Sequence, residues 1–148
     1  MEQAIDQLLN GGQLRKLYEK KAEKLKERYH LRKIDMELLY YLSQSDADHN
    51  TAKDLFERHT FTKGHISQSI SRLKLRSMVK VEKDPRDRRK EHILLTEKAQ
   101  ELLEEIRRLH QGLVDTIFTG FTEEERQNLG RIAEKINANI EKELRNGI

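Results

Sequence analysis

The residues best suited to chemistry are cationic and polar, and they crowd into one stretch. Residues 63–92 hold 10 Lys or Arg against 4 Asp or Glu, an excess of +6 in a chain of 148 residues whose total is +3. From Lys63 to Arg76 there is no acid, and further on the chain reads Lys83-Asp84-Pro85-Arg86-Asp87-Arg88-Arg89-Lys90. Cations at this density can neutralise phosphates, while Gln, Ser and His between them can donate to phosphate oxygens or to base edges. A solvated helix face and a solvated turn are the plainer account, and charge alone does not separate the two.

Other chemistries find less material. Asp46, Asp48, Asn50 and Glu57 stand at calcium-loop spacing, but the sixth place, where the loop turns on a glycine, is Thr51. The segment therefore reads as a polar loop leading to a helix. Six histidines, at positions 30, 49, 59, 65, 92 and 110, include no His-x-x-x-His pair, so zinc sensing would need residues gathered by folding. The absence of cysteine excludes disulfides, zinc-thiolate sites and a thiol redox switch. No P-loop, G-x-G-x-x-G or H-E-x-x-H run occurs, so neither an enzyme nor a metal or other cofactor is expected.

Regular elements must position the basic residues, and the apolar pattern predicts them. Helical spacing links Leu14, Leu17, Ala22, Leu25 and Tyr29, where Gly11-Gly12 either starts the helix or breaks it from a short segment before, and then Leu31, Ile34, Leu38, Tyr41 and Leu42. After the polar run 43–50, Thr51 suits the N-cap of a short helix bearing Ala52, Leu55 and Phe56. A turn near His59 to Phe61 follows, and Thr62 caps the next helix. There Ile66, Ile70 and Leu73 share the core face, while Gly64, His65, Gln68, Ser71, Arg72 and Leu75 face outward with Lys63 and Ser67 at the edges. Val79 and Val81 alternate with Lys80 and Glu82, and Ile93 to Leu95 answer them across the basic run 83–90, which predicts a β hairpin with a basic tip. Thr96 suits an N-cap of a long helix striped by Leu102, Leu103, Ile106, Leu109, Leu113 and Ile117. Thr122 with Glu125 forms the capping box of a last one, striped by Leu129, Ile132, Ile136, Ile140 and Leu144. The expected fold class is mainly α with a small β hairpin. With 148 residues it is read as one domain, 1–148.

Two short helices, the second polar and cationic outside, followed by a basic-tipped hairpin, make the order of a winged helix-turn-helix. At this point the chain resembles the MarR-type (multiple antibiotic resistance regulator) transcription factors over about residues 14–145. The resemblance is sharpest at Thr62-Lys63-Gly64-His65-Ile66-Ser67-Gln68-Ser69-Ile70, at Arg72-Leu73, at Asp84 through Arg89 and at Leu95-Thr96-Glu97-Lys98-Ala99. It implies a homodimeric repressor or activator, with a winged helix-turn-helix lobe over 31–95 flanked by dimerisation helices 1–30 and 96–148. Asp87 and Arg89 match the family's wing-tip acid and arginine, and His65, Ser67 and Gln68 match recognition-helix positions. Ser77 departs from the pattern, since the family often has Gly at that helix end.

The candidate DNA-binding residues are thus Lys63, His65, Ser67, Gln68, Ser71, Arg72, Arg86, Asp87, Arg88 and Arg89, with double-stranded DNA as partner. The long apolar stripes exceed what a lobe of about 65 residues covers, so a homodimer is expected. Tyr18, Tyr29, His30, Tyr40 and Tyr41 either line a pocket for a small-molecule effector or belong to the core. No apolar run approaches a membrane span of about 18 residues, and a cytoplasmic protein is expected. A helical dimer serving as a protein-interaction module, its basic zone incidental, is the other reading of the same features.

Overall fold

The computed structural model describes residues 1–58 and 61–147. The chain forms two compact units, Met1–His110 and Gln111–Ile148. Its helices are α1 (Glu2–Asn10), α2 (Gly12–Tyr29), α3 (Lys33–Gln44), α4 (Ala52–Arg58), α5 (Lys63–Leu75), α6 (Gln100–Ile117) and α7 (Glu123–Arg145). Strands β1 (Val79–Lys83) and β2 (Glu91–Leu95) lie between α5 and a short 3₁₀ turn, Glu97–Ala99. The mainly α fold class with one hairpin is borne out.

Local chemistry sets the ends of the elements. Gly11, at φ 60°, separates α1 from α2. The Thr51 hydroxyl accepts from the Asp54 amide, and the Thr62 hydroxyl accepts from the His65 amide, so both predicted caps form. Part of the turn expected near His59 to Phe61 lies outside the described residues. Thr122 caps α7 by accepting from the Glu125 amide. Thr96 does not cap as expected: its hydroxyl donates to the Ser77 carbonyl and makes no bond to the following turn. It fastens the end of β2 to the loop after α5 instead.

The core of the first unit gathers the predicted stripes. Leu38 and Leu39 of α3, Leu55 of α4, Ile66 and Leu73 of α5, Val79 and Ile93 of the hairpin, and Leu102, Leu103 and Ile106 of α6 are all buried. Because these residues come from four helices and both strands, deleting one fully buried leucine such as Leu55 costs about 2–5 kcal/mol. The hairpin is antiparallel, in the register Val79↔Leu95 through Lys83↔Glu91. A bridge from Thr51 to His92, with the Ile93 amide donating to the Asn50 carbonyl at 2.9 Å, adds a third short segment to its edge. In the second unit, α7 buries none of its residues.

Candidate nucleic-acid interface

Helix α5 sits on the core through Ile66, Ser69 and Leu73, which leaves Lys63, Gly64, His65, Ser67, Gln68, Ser71, Lys74 and Leu75 exposed. Seven of the predicted outward positions therefore lie open on one helix without a carboxylate among them. Arg72 is the exception. Its guanidinium turns inward and donates to Asp35 Oδ1 at 2.8 Å, although a helical wheel puts its Cα on the outer face.

Asp35 was absent from the candidate residues and organises this side of the helix. It is fully buried on α3. Its Oδ1 also accepts from the Ser69 hydroxyl at 2.6 Å, and its Oδ2 accepts from the Arg32 amide at 3.0 Å, closing the first turn of α3. A buried carboxylate is tolerable only when its lone pairs are filled, and here a cation, a hydroxyl and an amide fill them. Arg76 acts similarly, donating to the carbonyls of Tyr29 and His30. Two of the arginines in the basic stretch thus fix α5 in place. The signal in sequence was an acid set between Ile34 and Met36 at the third position of a helix.

The C-terminus of α5 explains Ser77. Its amide donates to the Lys74 carbonyl and that of Met78 to the Leu73 carbonyl, the paired bonds of a helix end that needs a left-handed residue. Ser77 takes that conformation, with φ 58°. The position that favours glycine is therefore present without one.

The wing tip is built by two aspartates. Asp84 Oδ1 accepts from the Arg86 amide at 2.7 Å and the Asp87 amide at 3.0 Å, and its Oδ2 faces His92 Nε2 at 2.7 Å. The His92 bond first, then the Arg86 and Asp87 amides, lower the Asp84 pKa to about 2. What Asp84 contributes to the fold is complete above the ordinary carboxylate value and is lost as pH falls through about 2. Asp87 Oδ1 accepts from both the Arg89 amide at 3.1 Å and Arg89 Nε at 3.2 Å. Asp87 and Arg89, the wing-tip acid and arginine of the resemblance, are therefore paired. The tip is a turn closed by the Lys90 amide on the Asp87 carbonyl. The Arg89 side chain remains 92% exposed and Arg86 and Arg88 are also open, so all three can meet a ligand.

Between α4, α5 and the hairpin runs a groove of about 830 Å³, walled by Ser67 and Ser71 with Lys53, Lys63, Lys74 and Lys83 against Glu57 and Glu91. Lys53, Lys74 and Lys83 were not among the candidates. Elsewhere in the first unit, Tyr18, Tyr40 and Tyr41 meet around a cavity of about 230 Å³ together with Glu37, Gln44 and His110. The Tyr40 ring stands edge-on to His110 at 4.0 Å. Burial holds the His110 imidazole below its ordinary value, and burial, then the Glu37 charge, raises Tyr18. Tyr29 and His30 do not join this cavity. The chain turns at His30, φ 52°, and their carbonyls take Arg76.

Among the described residues no group of three or more His, Asp or Glu is placed to hold a metal, and no helix is long and apolar enough to cross a membrane.

An exposed acid-free helix beside a basic-tipped hairpin defines a winged helix module, and residues 31–99 match the family model of the winged helix DNA-binding domain. This part of the chain has the winged helix fold, and the chain as a whole is similar in fold to MarR-type regulators. A MarR transcriptional regulator from Methanosarcina mazei Go1 is 21% identical, with 90% of this chain and 94% of that one covered at a TM-score of 0.75. A MarR-family regulator from Silicibacter pomeroyi is 22% identical, with 90% and 87% covered at 0.76. S. aureus MepR, in its DNA complex, is 20% identical, with 86% and 93% covered at 0.69. No curated protein matches the sequence.

Proposed function

We propose that the protein is a sequence-specific transcriptional regulator, a repressor, that binds an inverted-repeat operator as a homodimer. The observation that carries this is the outer face of α5, exposed from Lys63 to Leu75 without an acid, next to a wing whose Arg89 is held by Asp87. A helix of this kind fits the major groove, where Gln68 can pair with adenine N6 and N7, and the wing arginines suit a neighbouring minor groove. Lys63, His65, Ser67 and Ser71 act with Gln68 on this face, and Arg86, Arg88 and Arg89 act at the tip. Arg72 is left out of the contact set because Asp35 holds it. That MepR, of like fold, is seen with DNA supports the reading.

The helices of 1–30 and 96–148 serve the dimer, and a two-fold partner covers the exposed stripe of α7. Symmetry then sets half-sites about 10 base pairs apart, one turn of the duplex. Such a regulator acts in the cytoplasm, where the DNA is. The cavity of Tyr18, Tyr40 and Tyr41 is the effector site, and its occupancy releases the operator. Selecting duplexes from a randomised pool with the full-length protein tests the reading. Enrichment of an inverted repeat supports it, and a pool without any shared sequence contradicts it. In the selected duplex, Gln68→Ala should relax preference at one base pair, with about 1–3 kcal/mol of discrimination lost there.

A further inference from the structure

The wing has an anchor at its base that the DNA contacts do not include. His92, the second residue of β2, lies between exposed Glu91 and buried Ile93 and pairs with exposed Glu82, and its own side chain is only 18% exposed. Both ring nitrogens are engaged. Nδ1 lies 2.5 Å from Asn50 Oδ1 and Nε2 lies 2.7 Å from Asp84 Oδ2. Asn50 is buried ahead of α4 and is tied to the hairpin a second time through its carbonyl. Asp84 uses its other oxygen on the amides of Arg86 and Asp87, and Asp87 in turn holds Arg89.

We propose that His92 is a positioning residue for the wing, its imidazole clamping the Asp84 turn to Asn50 and so fixing the direction in which the tip presents Arg89. This rests on the DNA-binding reading given above. An aliphatic residue at position 92 would continue the strand pattern but could satisfy neither Asn50 nor Asp84. An imidazole can serve both at once, because one nitrogen donates to the carboxylate while the other meets the amide, whichever way that amide is turned. The need for a clamp follows from the hairpin itself. Two strands alone are marginally ordered, and beyond Lys83 the hairpin has only its own turn to stiffen it. A tip left to swing would have to lose that freedom on binding, which lowers affinity.

Two measurements on the full-length protein test the clamp separately from the function. In the absence of DNA, His92→Ala should speed hydrogen exchange at the Arg86 and Asp87 amides about tenfold, the size of one lost bond to a charged group, and leave the α5 amides unchanged. On duplexes enriched from a random pool, His92→Ala should weaken binding about tenfold. The penalty of Arg89→Ala should then largely vanish in the His92→Ala background, while that of Gln68→Ala persists. His92→Gln, which can still donate one N–H toward Asp84, should recover part of both effects. Should His92→Ala also lose α5 protection, His92→Gln and Asn50→Ala are judged by the same two criteria. Unchanged exchange at the tip, or penalties of His92→Ala and Arg89→Ala that simply multiply, overturns the proposal. Failure to enrich any duplex instead removes the DNA-binding reading, and the exchange result still decides the clamp.

Discussion

Asp87 lies among arginines and, by charge alone, would repel a phosphate backbone. Its carboxylate instead receives the Arg89 side chain and amide, so that part of the rotamer freedom Arg89 must lose in a groove is lost beforehand. Asp87→Ala should therefore weaken operator binding, whereas a purely solvated tip would make that variant bind the same or tighter. Arg89→Ala should weaken binding as well and shallow its salt dependence, since each neutralised phosphate contributes about −0.9 to the log–log slope. Titration of both variants at two salt concentrations distinguishes the cases. At Ser77 the expectation concerns stability. Its side chain is exposed and its φ is positive, so Ser77→Gly should raise unfolding free energy by about 1 kcal/mol, read by denaturant midpoint, without changing the helix end.

At the scale of elements, the placement of α5 depends on a bond between two helices. Asp35 is buried while the Arg72 side chain is 28% exposed and can turn to water once freed, so Asp35→Ala should cost about 1–3 kcal/mol in chemical denaturation, through the bonds that Arg72, Ser69 and the Arg32 amide lose. A loss below about 1 kcal/mol, the range of exposed pairs, would mean that the pair does not hold α5. This pair also marks the limit of what could be read from sequence. The spacing of Ile66, Ile70 and Leu73 identified α5 and its core face, and Thr51, Thr62 and the Val79–Val81 alternation identified its neighbours. Periodicity is blind to polar residues that face inward, so Ser69 and Asp35 were missed, and the partners are 34 residues apart. Arg72 was misassigned because a wheel locates a Cα, while a long side chain can reach back around the helix. Thr96 was read from its own neighbourhood, whereas its hydroxyl partner, Ser77, comes from across the hairpin. The sequence offers the tyrosine group as five residues without geometry. The left-handed turn at His30 sets Tyr29 and His30 apart from the three that share a cavity.

At the scale of the whole molecule, α7 carries Leu129, Ile132, Ile136, Ile140 and Leu144 on one stripe, each between 37% and 67% exposed. A monomer would leave that surface in water, so sedimentation at micromolar concentration should give a dimer. Ile136→Glu together with Ile140→Glu should shift it toward monomer and abolish operator binding with the winged helix domain still folded. A folded wild-type monomer at that concentration would remove the dimer from the account. The central claim, that the outer face of α5 and the wing read DNA sequence, is tested most directly by one ratio. The affinity of the wild-type protein for its selected duplex should exceed that for a scrambled duplex of equal length by about 10³ or more at physiological salt. Equal affinity for the two duplexes would contradict it.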